Sequence, residues 1–208
     1  MRLCKKTRSN GYYGMTLEKT YRISLAGDLG SGKSTVGKLL SSMLGIEKFT
    51  VGTAQRELAE KMNMTPVELN RYMEDKPEMD KVFDDWQRKF EDKDGSFILD
   101  SRLGFFFVPS TFGVYLRIGA EESARRIMNA ERSEERYDSL ADAVAKITER
   151  RASERARFIK FYGVDIMDED NYDLIVDTSD KTPAEVANII IAAYKDKRAE
   201  KLGEEDKA

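Results

Sequence analysis

The densest chemistry in the chain lies in eleven residues, "LAGDLGSGKST" (25–35). Gly27, four further residues, then Gly32, Lys33 and Ser34 complete the pattern G-x-x-x-x-G-K-[ST], set between a β-rich segment and a helical one. Glycines allow a bend in which successive backbone N–H groups converge on one anion, and a helix starting at Lys33 adds its positive dipole end. Gly27, Asp28, Gly30, Ser31, Gly32, Lys33, Ser34 and Thr35 are therefore candidate nucleotide-binding residues. In such a loop the lysine reaches the terminal phosphates and the serine ligates Mg²⁺. The loop alone says only that a nucleotide binds; its partners decide the chemistry.

Those partners are arginines. "VGTAQREL" carries Gly52 and Arg56, "FILDSRLG" carries Asp100 and Arg102, and "ITERRASERARF" carries Arg150, Arg151, Arg155 and Arg157. Transfer of a phosphoryl group between two polyanions needs cations across the equatorial oxygens, and the guanidinium fork suits phosphate. On a helix Arg150, Glu154 and Arg157 fall at i, i+4 and i+7 and share one face. Asp100 is a second candidate Mg²⁺ ligand, acting through water. Arg151 and Arg155 have two roles open: packing along the stripe of Val144, Ile147, Phe158 and Tyr162, or reaching phosphates. Arg126, Arg132 and Arg136 divide evenly between solvated ion pairs and function.

The surrounding composition narrows the class. There is no histidine, and the lone Cys4 lies near the N-terminus, which removes imidazole chemistry, disulfide frameworks and thiolate metal sites. Thirty-five basic against thirty-eight acidic residues, a net charge of -3, predicts no general affinity for nucleic acid. No apolar run approaches the ~20 residues of a membrane helix. A cytoplasmic protein, monomeric or a weak homodimer, is expected.

Strands are expected at 21–27, 48–51, 95–102, 112–119 and 172–179. Helices are expected after Lys33, between Thr53 and about Lys93 with breaks at "MNMTP" and "DKPEMD", and over 121–130. A long helix over 139–163 follows, capped by Ser139 with Asp142, and a last helix opens at Pro183 and runs to about Lys195. Strands alternating with helices predict a parallel five-stranded sheet flanked on both faces, the P-loop NTPase arrangement, with ligands at the carboxyl ends of the strands. Residues 1–20 read as an N-terminal extension, 21–196 as the domain and 197–208 as a charged tail. Within the domain, about 52–95 and about 130–158 are the acceptor-binding and lid segments.

Over residues 21–196 the chain resembles cytidylate kinases of the nucleoside-monophosphate kinase family, in their short archaeal form. Gly52 through Arg56 match the family's acceptor glycine and arginine. Asp100-Ser101-Arg102 match its D-G-R, and Glu149, Arg150, Glu154, Arg155 and Arg157 match its E-R-x-x-x-[DE]-R-x-R. The resemblance implies phosphoryl transfer from ATP with Mg²⁺ to a nucleoside monophosphate, CMP or dCMP. It implies Arg56, Arg102 and Arg157 on the acceptor phosphate, Arg150 and Glu154 on the ribose, and Lys33, Arg102, Arg150, Arg155 and Arg157 as catalytic cations. Asp177, Thr178 and Ser179 would border adenine. The family's usual base contacts are replaced by Val51, Asp80 and Leu103, so Asp80, Gln87 and Thr53 are the remaining base candidates. Another monophosphate, a small hydroxyl metabolite, or an ATP-dependent switch without acceptor chemistry are the alternatives.

Overall fold

The structure, a computed structural model, describes residues 20–64, 68–69, 72, 78–129 and 137–205. Five parallel strands, β1 (Arg22–Gly27), β2 (Glu47–Thr50), β3 (Phe97–Asp100), β4 (Phe112–Arg117) and β5 (Leu174–Asp177), lie side by side in the order β2-β3-β1-β4-β5. Leu25 stands opposite Asp100 on one side and Val114 on the other. The central position of β1 explains its near-complete burial: Ile23 and Leu25 are inaccessible to solvent. Each such side chain contributes about 1.5–3 kcal/mol of transfer free energy.

One face of the sheet is covered by α1 (Lys33–Leu44) and α7 (Pro183–Glu205), whose Val36, Leu40, Val186 and Ile190 pack on Ile23, Leu25, Val114 and Val176. The other face packs Phe97 and Leu99 against Phe90, Phe107, Val108, Phe158 and Ile166. A third cluster joins α5 (Ala120–Asn129) to α6 (Leu140–Tyr162) through Ala124, Ala143 and Ile147. The result is the expected three-layer α/β architecture.

Local differences from the sequence reading have identifiable causes. Helix α2 (Val51–Lys61) starts two residues before Thr53, because the Thr50 hydroxyl accepts the Thr53 N–H at 2.9 Å and fixes the first turn there. Helix α7 runs to Glu205 rather than ending near Lys195, so the charged stretch from 197 continues the helix. That stretch is rich in helix-forming Lys, Arg, Ala and Glu, and Arg198 ties it to the Thr20 carbonyl at 3.2 Å. A short helix α4 (Gly104–Phe107) fills the "GFFF" segment. Ser139 caps α6, its hydroxyl accepting the Asp142 N–H at 3.1 Å. Helix α3 (Glu78–Arg88) includes the last three residues of "DKPEMD" (75–80), and the first three lie outside the described residues. The Thr65 cap, Arg132, Arg136, the Asp80 side chain and residues 1–19 lie outside the described residues. Among the described residues, no helix is long and apolar enough to cross a membrane.

Candidate active site

The turn between β1 and α1 needs glycine for reasons of space as well as backbone angle. Gly27 has φ 151°, and a Cβ there would stand 2.5 Å from the Leu116 carbonyl oxygen. Gly30 has φ 72°, and its Cβ would meet the Ser123 backbone oxygen at 2.9 Å. The loop is braced from beneath. The Asp28 N–H donates to the Leu116 carbonyl at 2.9 Å. The Asp28 carboxylate accepts the Ile118 N–H at 3.0 Å and the Tyr115 hydroxyl at 2.7 Å. Burial, together with the Asp28 bond, pushes the Tyr115 phenol above its ordinary range. Arg151 adds an ion pair to Asp28 at 3.1 Å. Asp28 thus supports the loop from behind, and it does not line the cleft in front. At the start of α1 the first-turn amides have no partner within the helix, which leaves them to an anion.

In front of the loop opens a cleft of about 1130 Å³. Lys33 and Ser34 line one side of it, and Gly52 and Arg56 of α2 another. Asp100 and Arg102 enter after β3, and Arg150, Glu154 and Arg157 come from α6. With Phe83, Asp84 and Gln87 of α3, five chain segments far apart in sequence converge here.

Asp100 sits at the end of β3, buried, with the Lys33 ammonium on one carboxylate oxygen and Lys48 Nζ at 2.8 Å on the other. Burial resists its ionisation, but the two lysines outweigh that and hold its pKa below the usual carboxylate value. Arg102 donates to the Gly27 carbonyl, and its Nε lies 3.2 Å from Glu154. Arg56 donates to the Thr53 hydroxyl at 3.2 Å, and Arg157 lies over the Phe158 ring with its guanidinium carbon 5.3 Å from the centroid.

Arg155 stands elsewhere. Its guanidinium grips Asp165 through two bonds, Nε at 2.8 Å, and it does not line the cleft. The arginine bond in turn holds the Asp165 carboxyl below its ordinary value. One step along a helix turns a side chain by about 100°, which separates Arg155 from Glu154. Arg151 reaches Asp28 beneath the loop at 3.1 Å and the Met167 sulfur at 3.3 Å, a bracing contact that differs from both of the roles left open for it.

A second cavity, about 290 Å³, lies behind the loop between Ser31, Thr35, Arg126, Thr178 and Val186. Arg126 donates to the Thr178 and Ser179 carbonyls at 2.8 and 2.9 Å and pairs with Glu122 at 3.0 Å. The loop after β5 is thereby tied to α5. The Ser179 N–H donates to Asp177 at 3.0 Å, lowering that carboxyl's pKa.

Lys48 is a cleft residue absent from the sequence-based candidates; it sits, half-buried, on the short edge strand β2, and its meaning comes only from meeting Asp100. For Mg²⁺ the donor set fits. Ser34 and Asp100 offer one hydroxyl and one anionic carboxylate in the cleft, and among the described residues no cluster of three acidic side chains exists to form a cage. Mg²⁺ is commonly held in this sparse way, by one or two protein oxygens together with substrate phosphates.

A family model described as an AAA domain matches residues 23–157. The chain is 37% identical over 172 residues to a cytidylate kinase of Sulfolobus acidocaldarius, covering 82% of this chain and 92% of that one. It is also 37% identical over 179 residues to an S-adenosylmethionine-dependent nucleotide dehydratase of Lacinutrix mariniflava, covering 86% of this chain but spanning only 37% of that protein's length. In three dimensions it resembles the shikimate kinase of Bacteroides thetaiotaomicron, with a TM-score of 0.63, 15% identity, and 85% and 99% of the two chains covered; this likeness bears on the fold. Together with the converging loop and arginines, the archaeal relative decides the assignment: the chain belongs to the cytidylate kinase family.

Proposed function

We propose that the protein transfers the terminal phosphoryl group of ATP to a nucleoside monophosphate, CMP or dCMP, giving the diphosphate and ADP. The observation that carries this reading is the single cleft shared by Lys33 and Ser34 with Arg56, Arg102, Arg150, Glu154 and Arg157. A nucleotide switch uses one arginine on the transferred group, whereas several guanidinium groups opposite the phosphate loop suit a second, anionic ligand.

In this scheme the amides of the loop from Gly27 to Thr35 hold the ATP phosphates, and Lys33 neutralises the transferred group. Arg56, Arg102 and Arg157 fix the acceptor phosphate, while Glu154, with Arg150 beside it, takes the ribose hydroxyls. An acceptor oxygen forms the new P–O bond as the bond to the ADP oxygen breaks. The acceptor is already anionic, so no strong general base is needed. Ser34 and Asp100 would hold Mg²⁺, which offsets charge on the phosphate oxygens when bound. The second cavity, beside Thr178 and Ser179, suits adenine. The segments 52–95 and 130–158 act as acceptor-binding and lid segments whose closure excludes water and so protects the phosphoryl group from hydrolysis. Arg155, fastened to Asp165, steadies α6 in this scheme.

The test is to follow ADP release with MgATP and each of CMP, dCMP, UMP, AMP, GMP and shikimate. Release strongly stimulated by CMP or dCMP is expected. Slow ATP loss indifferent to every acceptor would overturn the proposal, and stimulation by shikimate alone would replace it with a metabolite kinase. The match to the dehydratase accounts for about a third of that protein, so dehydration is not attributed to this chain.

A further inference from the structure

The phosphate-transfer scheme leaves a set of polar groups in the cleft unused. Phe83, Asp84 and Gln87 of α3 all line it, and positions 83, 84 and 87 fall on one helix face. Gln87 is 4% exposed, and a buried amide requires hydrogen-bond partners. Its Nε2 donates to the Phe83 carbonyl at 3.3 Å, and the Ser101 hydroxyl meets its Oε1. The Ser101 oxygen also accepts the Leu103 N–H at 3.3 Å, which leaves the hydroxyl proton for Gln87. Reversing the amide would set its carbonyl oxygen against that of Phe83, two acceptors face to face. Gln87 is therefore held in one orientation, with one amide proton remaining to give.

Asp84, half-buried, accepts the Tyr162 hydroxyl at 2.9 Å through Oδ2. That bond connects α3 to the end of α6. Phe158, Phe161 and Tyr162 also line the cleft, Tyr162 through its bond to Asp84, and aromatic rings of this kind give a flat base an apolar surface to rest on.

We infer that Asp84 and Gln87 read the base of the acceptor and select cytosine over uracil, with Ser101 and Tyr162 as positioning residues; the choice of ligand rests on the kinase activity proposed above. Cytosine presents an amino donor beside ring and carbonyl acceptors. A carboxylate and an amide N–H are the complement of that edge. Uracil presents a carbonyl where cytosine has the amino group and an N–H where cytosine has a ring acceptor. Its carbonyl oxygen would face the Asp84 carboxylate and its N–H the Gln87 N–H. Gln87 cannot rotate to accept that proton, because Ser101 pins its oxygen. The serine that stands where the family's D-G-R has glycine thus acquires a purpose.

The test measures equilibrium binding of CMP and UMP by calorimetry, with ADP-release kinetics alongside. Wild type should bind CMP about tenfold or more tightly than UMP, as a site built for one hydrogen-bonding edge rejects the opposite one. Asp84→Asn, which can donate to the uracil carbonyl, should bring the ratio close to one by weakening CMP and sparing or improving UMP. Ser101→Ala should lower the ratio by freeing the amide, and Tyr162→Phe should lower it should Asp84→Asn fail to fold. Equal binding of the two nucleotides by wild type, or a ratio unchanged in the variants, would overturn the inference. Selective CMP binding without phosphoryl transfer would remove the kinase proposal and leave the base reading standing. Phosphorylation of CMP and UMP alike would do the reverse, and binding of neither would remove both.

Discussion

Lys33 of the phosphate loop and Asp100 at the end of β3 form an ion pair on the cleft floor, and Lys48 closes on the second carboxylate oxygen at 2.8 Å. Two cations share one buried anion, so removing the anion exposes both.

Asp100→Asn should therefore lower stability at neutral pH by about 2 kcal/mol, the order expected for unpairing buried charged groups, or roughly 4–8 °C in Tm. The folded-state pKa of Asp100 lies below its ordinary value. Its contribution is thus present above the unfolded value of about 3.9 and lost as pH falls through the lower folded one. Thermal melts from pH 8 to pH 3 should show wild type and variant separated by a constant gap that closes only below about pH 4. A gap that closes already at pH 6 would contradict the pairing.

Lys33→Ala should reduce kcat by about 10²–10³-fold, the usual cost of losing one charge aimed at a transition state. Melting should change little, because Lys48 still pairs with Asp100. ADP release followed beside a thermal melt checks both halves of this expectation.

Arg102→Ala should raise the KM for CMP about tenfold and lower kcat, with the KM for ATP within about twofold of wild type. The guanidinium touches the Gly27 carbonyl as well as Glu154, so steady-state kinetics with each substrate varied in turn is the decisive measurement. Equal loss for both substrates would assign Arg102 to the donor loop instead.

Gly30→Ala should weaken ATP binding about tenfold while the protein stays folded. A Cβ at φ 72° is strained, and it would meet a Ser123 backbone oxygen at 2.9 Å that cannot rotate away. Titration with ATP and a thermal melt distinguish local loop distortion from unfolding.

Much of this site is legible in the sequence. The phosphate loop announces itself because glycine spacing and a following helix are local properties. Arg150, Glu154 and Arg157 were legible because helical period places them on one face. The convergence of Arg56, Arg102 and those α6 residues was not readable from spacing, since it depends on the strand order that brings the end of β3 beside β1. The partner of Arg155 was hidden for the same reason: Asp165 lies beyond the end of α6, and only the turn at Gly163 brings it back. Lys48 and the lock on Gln87 escaped because their meaning lies in which distant oxygen each one meets. Helix α7 overran its expected end because a charged, helix-favouring stretch looks the same whether or not Thr20 anchors it.

One 23-residue helix, α6, touches Asp28 through Arg151, Arg102 through Glu154 and Asp84 through Tyr162. A rod fastened at several points cannot report on one substrate without reporting on the other. On the proposed reading, whatever factor ATP contributes to monophosphate affinity through the position of α6, the monophosphate must return to ATP affinity.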